Sequence, residues 1–481
     1  MKTSSRGLLP IFLAGVLAAQ QTSPPEPDIG RVLSSISPDS LRGDLSFIAS
    51  ELLEGRDTPS RGLDIAAEYI AAQFRKTGLQ PAAGDSYYQT ARMVRASPPP
   101  EGFVLRLAEG PRILTVPSTQ ASLIGCRTID LSDAPVYKVH TLADLPKTGL
   151  RGDAVEIEEP ADDAAPLAQA AAALHPAVFL QPSDDLRQPV VRRLIDPDEE
   201  RTVWGGVPRV IVQDRQAMDL LESARTGETG IAVSIRSAAP SAAPVTVRNV
   251  AGLLRGSDPA LRGQFVLVTA HYDHIGRNSA GEINPGANDD GSGTVSVMEI
   301  ARALAGMPVH PKRSILFVLF FGEEEGSLGS RYYVAHPLAP LAHTIADLNL
   351  EQVGRTDSTG GAQISTATAT GFRYSTVTRT LQRAGRQTGV RVYESPGDSD
   401  FFRRSDNLPF AEHGIPAHTI VVALDFPDYH APGDLARKID YGNMARVDRM
   451  IALAAIMLAD APETPQWNRE NPDVGVYLHA R

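Results

Sequence analysis

Four apolar runs in the second half of the sequence, at 265–270, 314–321, 345–350 and 419–424, constrain the fold more than any other feature. Each run is long enough for a buried strand, and helical segments such as 294–304 lie between them. Uninterrupted apolar strands that alternate with helices indicate a parallel sheet covered on both faces. The sequence therefore predicts an α/β fold with a mostly parallel central sheet flanked by helices.

Acidic residues and histidines follow these runs or open the helix between them. In a doubly wound sheet the ligand site lies at the carboxyl ends of the strands, so these side chains should meet at one edge. Taken singly, each motif has an ordinary explanation, such as a solvated acidic loop or a turn. Their shared position at successive strand ends favours one joint site. The motifs are His271-Tyr272-Asp273-His274, Asn288-Asp289-Asp290-Gly291-Ser292-Gly293, Gly322-Glu323-Glu324-Glu325-Gly326, Glu351 and Asp428-Tyr429-His430.

The residue types at this edge predict bound metal. Buried carboxylates are costly unless a cation or a proton offsets their charge. Histidine and carboxylate ligands without thiolate suit Zn²⁺ or another borderline divalent ion. The single cysteine, Cys126, can form neither a disulfide within the chain nor a cysteine-based zinc site. The number of candidate ligands fits two ions that share one carboxylate.

Other chemistries fit the sequence less well. The glycine-rich stretch 286–293 lacks the lysine of a phosphate-binding P-loop, and its acids would repel phosphate. Ser292 follows Asp290 by two positions, where the nucleophile elbow of a serine hydrolase requires glycine. The 46 basic and 57 acidic residues give a net charge of −11, which argues against a partner such as nucleic acid or anionic lipid.

The first residues resemble a secretory signal peptide. Lys2 and Arg6 precede an apolar stretch at 7–19 that is short for a membrane span. No later run of the sequence approaches the roughly 20 apolar residues of a membrane helix. We therefore expect residues 1–19 to be removed, and the protein to be exported to the periplasm or the medium without a stable membrane span.

A chain of 481 residues is expected to form two or three domains. Helical spacing between residues 39 and 79 predicts two helices, whereas short β-like runs between 113 and 236 predict a small inserted α/β module. The Ser-, Ala- and Pro-rich stretch 237–244 has the composition of a linker. The expected divisions after the signal peptide are 20–112, 113–236, 245–462 and a C-terminal tail at 463–481.

From Asn249 to Asp434 the motifs resemble, in order, those of the M28 family of zinc peptidases. The shared pattern is His-x-Asp, Asn-Asp-x-Gly-Ser-Gly, Glu-Glu-x-Gly, an acidic strand end and Tyr-His. The resemblance implies a zinc-peptidase αβα sandwich, to which residues 20–112 contribute the N-terminal part. It also implies that the module at 113–236 is similar to a protease-associated (PA) domain, and that the substrate is a peptide or protein.

Carried over by position, the resemblance implies two Zn²⁺ ions per chain, bridged by Asp289. His271 and Glu351 would complete one site, and Glu324 and His430 would complete the other. Glu351 stands where the family more commonly has aspartate, which keeps the carboxylate but adds a methylene.

The resemblance also assigns roles to residues that bind no metal. Glu323 would be the general base, and Tyr429 would help to stabilise the oxyanion. Asp273 would orient His271. His274 receives no role, and Glu325 occupies a variable position of the motif.

Within this resemblance an exported di-zinc aminopeptidase is the preferred hypothesis. A carboxypeptidase, a glutaminyl cyclase and a receptor-like relative without catalysis are the alternatives. The pair Arg403 and Arg404 could bind a substrate carboxylate, whereas Asp398 and Asp400 could bind an amine, so the sequence leaves substrate polarity and oligomeric state open. The intact set of ligands and base argues against the receptor-like alternative.

Overall fold

The computed structural model describes residues 29–97, 103–124, 128–157, 164–182, 193–197, 205–238, 241–278, 280–358, 361–395 and 397–478. The expected signal peptide and Cys126 lie outside these residues. Among the residues described, none of the helices combines the length and the apolar character needed to cross a bilayer.

Along the chain, three helices come first, and strands and helices alternate after them. The strands are β1 (Gln80–Pro81), β2 (Tyr88–Ser97), β3 (Phe103–Glu109), β4 (Arg112–Val116), β5 (Ala121–Ile124), β6 (Ile129–Val139), β7 (Ala154–Ile157), β8 (Val178–Pro182), β9 (Arg193–Ile195), β10 (Arg209–Val212), β11 (Gly227–Ser237), β12 (Ser241–Leu254), β13 (Phe265–His271), β14 (Ser314–Phe320), β15 (Thr344–Leu350), β16 (Asp357–Ser358), β17 (Gly361–Ala362), β18 (Thr366–Ala369), β19 (Arg391–Val392) and β20 (Ala417–Val421). The α-helices are α1 (Ile29–Ser34), α2 (Pro38–Ile48), α3 (Arg61–Thr77), α4 (Ala164–Ala172), α5 (Arg215–Glu222), α6 (Gly293–Ala305), α7 (Leu328–Ala335), α8 (Val377–Thr388), α9 (Asp398–Phe401), α10 (Asn407–Glu412) and α11 (Tyr441–Asp460). Short 3₁₀ segments lie at Glu51–Arg56, Leu142–Asp144, Leu341–His343, Ala436–Lys438 and Pro472–Leu478, and a π-helical turn lies at Ala287–Ser292.

The larger sheet has ten strands in the order β19-β18-β20-β15-β13-β14-β12-β2-β9, with β1 paired to β12. Its central strands β20, β15, β13 and β14 run parallel. The strands on either side join antiparallel, β18 against β20 and β12 against β14. The predicted α/β class is therefore confirmed, and the parallel arrangement holds for the centre of a mixed sheet.

Both faces of this sheet are covered, as the apolar runs predict. All seven residues of β14 are buried. Because side chains alternate between the faces of a strand, Ile315, Phe317 and Leu319 join one core while Leu316, Val318 and Phe320 join another. Helices α2, α3, α6 and α11 bury apolar residues in the first core, and α7 and α10 contribute to the second.

The two helices predicted between residues 39 and 79 are α2 and α3. Ser37 caps α2 by accepting hydrogen bonds from the backbone of Asp39 and Ser40. Ser60 caps α3 in the same way, and Gly78 ends it in the left-handed conformation, where glycine is favoured.

A second sheet of eight strands, in the order β4-β3-β11-β6-β7-β8-β10-β5, has its own apolar cores. It begins at Phe103, so the expected boundary at residue 113 falls inside the hairpin of β3 and β4. The stretch expected to be a linker is largely strand, because residues from Ser241 to Val250 pair with β2. Composition alone does not reveal a partner strand, which explains this error.

Gly62 and Gly43 provide a test of the helical packing near the site. A Cβ atom at Gly62 would overlap the carbonyl oxygen of Leu53, whereas a Cβ at the exposed Gly43 meets nothing within 4 Å. We expect Gly62→Ala to lower the free energy of unfolding by about 1–3 kcal/mol. Gly43→Ala, inside α2, should raise it by about 0.5–1 kcal/mol. Denaturant titrations of both variants measure the two effects, and equal shifts would contradict the packing described.

Candidate metal centre

The central parallel strands bring the predicted motifs together at their carboxyl ends. His271 is the last residue of β13, and Glu351 directly follows β15. Glu323 and Glu324 lie just after β14, and His430 lies in the loop after β20. Since these four strands are neighbours in the sheet, residues far apart in the sequence meet at one edge.

Asp289 stands between two groups of potential ligands. It lies in the π-helical turn that leads into α6 and is buried. Its Oδ1 atom is 3.6 Å from His271 Nε2, and its Oδ2 atom is 3.1 Å from His430 Nε2. The two oxygens of one carboxylate thus face different histidines, the arrangement that a bridging ligand requires.

The described residues form two groups whose ligand atoms lie within 4.8 Å of one another. One group contains His271, Asp289 and Glu351, as the resemblance implies. The other contains Asp289, Glu324 and His430, as implied, together with His274. In the second group His430 Nε2 is 3.2 Å from Glu324 Oε2.

The donor set fits zinc. At Zn–ligand distances of about 2.0–2.1 Å, two ligands of a tetrahedral ion lie about 3.3 Å apart. The separations of 3.1, 3.2 and 3.6 Å around Asp289 are close to that value. In addition, His271 Nε2, His430 Nε2 and Asp289 Oδ2 are buried and have no hydrogen-bond partner within the described parts of the chain. Such atoms are rare in proteins unless an ion or a water satisfies them.

Glu323 and Asp273 adjoin this cluster without joining either group. Glu323 is almost fully buried, and its Oε2 atom is 4.0 Å from His271 Nε2. Burial raises the pKa of Glu323 well above its usual range, although His271 opposes the shift. Asp273 Oδ1 lies 3.4 Å from His271 Nδ1 and also accepts a hydrogen bond from the backbone nitrogen of Glu323. Asp273 therefore binds the Glu323 turn and also lies against the first histidine.

Tyr429 is the most exposed of the predicted site residues, with 37% of its surface accessible. Its ring stacks on that of His430, with 3.9 Å between the centroids. His430 itself has a left-handed backbone with φ of 53°, a conformation that is uncommon outside glycine and that occurs at functional sites. The side chain of Tyr429 thus lies over one side of the cluster, facing solvent.

Sequence reasoning missed Arg56, which is fully buried beneath the cluster. Its guanidinium donates hydrogen bonds of 2.7–2.9 Å to four backbone carbonyls, those of Ile48, Tyr272, Pro285 and Gly286. These bonds tie the segments that carry His271 and Asp289 to the 3₁₀ segment before α3. Nothing in the local sequence around Arg56 indicates these distant partners.

Asn288 and Asp434 form a further layer of backbone contacts. Asp434 accepts hydrogen bonds from the backbone nitrogens of Asn288 and Asp289, at 2.9 and 3.1 Å. Asn288 Oδ1 accepts from the backbone nitrogens of Gly354 and Arg355, at 2.9 and 2.8 Å. The loops that carry Asp289, Glu351 and His430 are therefore bound to one another by side chains next to the ligands.

His274, to which the resemblance assigns no role, lies beside the second group of potential ligands. It is buried, and its Nδ1 atom is 2.9 Å from Glu324 Oε1. The spacing of three residues from His271 carries no signal for this contact, since Glu324 is 50 residues away in the chain.

A mixed α/β sheet with histidines and carboxylates gathered at the carboxyl ends of its central strands is the arrangement expected of an α/β metal-dependent hydrolase. Within this class, residues 249–455 match the model of peptidase family M28.

Individual proteins are similar to the same part of the chain. The chain is 28% identical over 228 residues to aminopeptidase YwaD of Bacillus subtilis, covering 46% of this chain and 47% of that protein. It is 30% identical over 219 residues to the uncharacterised YfbL of Escherichia coli, covering 40% and 66%. The chain thus spans about half the length of YwaD and 59% of a probable zinc metalloprotease of Pyrenophora tritici-repentis. Among solved structures, an aminopeptidase from Aneurinibacillus sp. strain AM-1 shares the fold, with a TM-score of 0.57 and 20% identity over 91% of this chain and 97% of that one.

Replacement of Arg56 by lysine tests the buried anchor. Lysine keeps the charge but lacks the planar guanidinium, so it cannot reach all four carbonyls. We expect Arg56→Lys to lower the free energy of unfolding by at least about 2 kcal/mol, because hydrogen bonds from charged donors contribute about 1.5–3 kcal/mol each. Arg61→Lys, at an exposed position five residues later, should change it by less than about 0.5 kcal/mol. Denaturant unfolding of the metal-free proteins checks this, and similar values for both variants would show that Arg56 is no anchor.

Proposed function

We propose that this chain is a di-zinc aminopeptidase that removes N-terminal residues from peptides. One observation carries the proposal: the two oxygens of Asp289 face His271 and His430 separately, with Glu323 beside the first of these. The match of residues 249–455 to the model of peptidase family M28 supports a peptide substrate. The name of the relative YwaD supports an aminopeptidase.

Two sets of residues would hold the ions. His271, Asp289 and Glu351 would hold one, and Asp289, Glu324 and His430 would hold the other. Zinc bound here would supply a water of lowered pKa and would polarise the carbonyl group of the scissile bond. Glu351 is one methylene longer than the commoner aspartate. Its carboxylate nevertheless lies in the same group as His271, where it could bind an ion.

Glu323 is the residue of this chain that moves a proton. It accepts the proton of the attacking water at a carboxylate oxygen and then delivers it to the nitrogen of the leaving group. Burial raises the pKa of its carboxyl group, which makes the carboxylate a stronger acceptor for the proton of the water. The backbone bond from Glu323 to Asp273 fixes the turn, so the carboxylate stays beside His271.

Tyr429 would act on the substrate from the exposed side. Its hydroxyl can donate a hydrogen bond to the carbonyl oxygen as negative charge develops there. The stacking on His430 limits the positions that the ring can take.

We also propose export and an inserted PA-like domain. Lys2, Arg6 and the apolar stretch that follows support a signal peptide and a periplasmic or secreted location. The second sheet, from Phe103 to Ser237, supports a PA-like domain, because it has its own cores and lies between β2 and β12 of the peptidase sheet.

The general base is tested by Glu323→Gln, which keeps the shape of the side chain but cannot accept a proton. We expect turnover to fall by about 10²–10⁴-fold with the zinc content unchanged, because Glu323 belongs to neither ligand group of the described residues. Glu325→Gln, the same change two positions later, serves as the matched control and should retain activity. Appreciable activity in Glu323→Gln would show that another group is the base.

The direction of hydrolysis is tested with Leu-p-nitroanilide beside its N-acetylated counterpart, with and without chelator. We expect cleavage of the free-amine substrate alone, loss of activity with chelator, and restoration by Zn²⁺. If the zinc-bound protein cleaves neither substrate, the carboxypeptidase or glutaminyl cyclase alternatives are favoured. If the protein cleaves neither substrate and binds no zinc, a receptor-like relative is favoured and the proposal is contradicted.

A further inference from the structure

His274 makes its short contact with the candidate metal centre through one residue, Glu324. Its Nδ1 atom is 2.9 Å from Glu324 Oε1, but 3.9 Å from the nearer oxygen of Asp289. His430, by contrast, lies 3.1 and 3.2 Å from the same two carboxylates. The geometry around His274 is therefore that of a hydrogen bond to Glu324, whereas the geometry around His430 is that of a ligand.

The two oxygens of Glu324 are divided between these histidines. Oε2 faces His430 and Oε1 faces His274. A carboxylate that binds an ion through one oxygen can rotate unless the other oxygen is held. The hydrogen bond from His274 supplies that restraint.

The proton on His274 can be assigned from its partner. An ionised carboxylate only accepts hydrogen bonds, so Nδ1 must carry the hydrogen. The other nitrogen, Nε2, is buried and has no hydrogen-bond partner among the described residues. An Nδ1 atom that donates to Glu324 has no lone pair left for an ion.

The imidazole of His274 has little freedom to leave this position. An added Cβ at Gly286 would lie 2.5 Å from His274 Cγ and Cδ2, so the backbone of Gly286 packs directly against the ring. Gly286 is itself left-handed, and its carbonyl oxygen is held by Arg56. The backbone nitrogen of His274 in turn donates to the carbonyl oxygen of Arg56.

We propose that His274 is a positioning residue of the metal centre: it donates Nδ1–H to Glu324 Oε1 and thereby turns Oε2 toward the ion shared with Asp289 and His430. The inference rests on the proposed zinc function. It gives the second site a counterpart of the contact of 3.4 Å between Asp273 and His271 in the first.

The test compares His274→Asn with His274→Gln. The amide nitrogen of asparagine can occupy the place of Nδ1, whereas that of glutamine corresponds to Nε2. We expect His274→Asn to bind both zinc ions nearly as tightly as the unchanged protein, and His274→Gln and His274→Ala to lose one ion at about 10–100-fold lower chelator activity. His343→Ala, at an exposed histidine, is the control.

The measurements are zinc content after dialysis against graded chelator and the visible absorption of the Co²⁺-loaded proteins. Thermal unfolding of the metal-free forms establishes that each variant is folded. Equal affinity of all variants for both ions would overturn the inference alone. Failure of asparagine to rescue binding, with a Co²⁺ spectrum that shows a lost ligand, would make His274 a direct ligand and also overturn it. If the unchanged protein binds no zinc, the proposed function fails together with the inference.

Discussion

The concentration of buried carboxylates around Asp289 is the constraint on which the rest of this structure depends. Asp273, Asp290, Glu323 and Glu351 are buried within the same cluster. Carboxylates removed from water in such numbers would repel one another and unfold the site unless cations or protons offset them. The histidines, the Arg56 guanidinium and bound metal are the positive groups that this edge of the sheet can provide. The same positive groups therefore serve both the chemistry of the site and the stability of the fold around it.

Hydrogen bonds between neighbouring side chains and the backbone hold the acidic loops in place. Asp290 accepts a hydrogen bond from the backbone nitrogen of Gly293, at the start of α6, and another from Gln352. Asp434 and Asn288 bind the backbone of the neighbouring loops. These side chains accept hydrogen bonds from backbone N–H groups on both sides of Asp289, whose own oxygens face the histidines. A buried loop of this kind needs partners for its backbone, and here the same partners set the geometry of the ligands.

The sequence predicts those parts of the molecule that local pattern determines. The apolar strands are visible because burial on both faces demands an unbroken apolar run, and the acids at their ends stand out against them. The parallel centre of the sheet then brings His271, Asp289 and His430 together without further information. The contact of His274 with Glu324 and the anchoring by Arg56 depend on which loops pack together, and residue spacing does not encode that. The pairing of residues 241–250 with β2 was hidden for a related reason, because alanine, serine and proline give no strong strand pattern.

Glu323 and Glu324 show how this packing turns a sequence motif into distinct chemical roles. The two residues are adjacent and identical, and both are desolvated at the end of β14. Burial and the charge of Asp289 act to raise the pKa of Glu324, but its contacts with His274 and His430 outweigh them and lower it to about 2. Glu323 lacks such a pair of contacts, and burial raises its pKa well above the usual range. Two carboxyl groups whose surroundings drive their pKa values apart are suited to separate tasks. The carboxylate that stays ionised is suited to hold a cation, and its neighbour is suited to hold a proton, so the contacts that His274 and His430 make with Glu324 separate these two tasks.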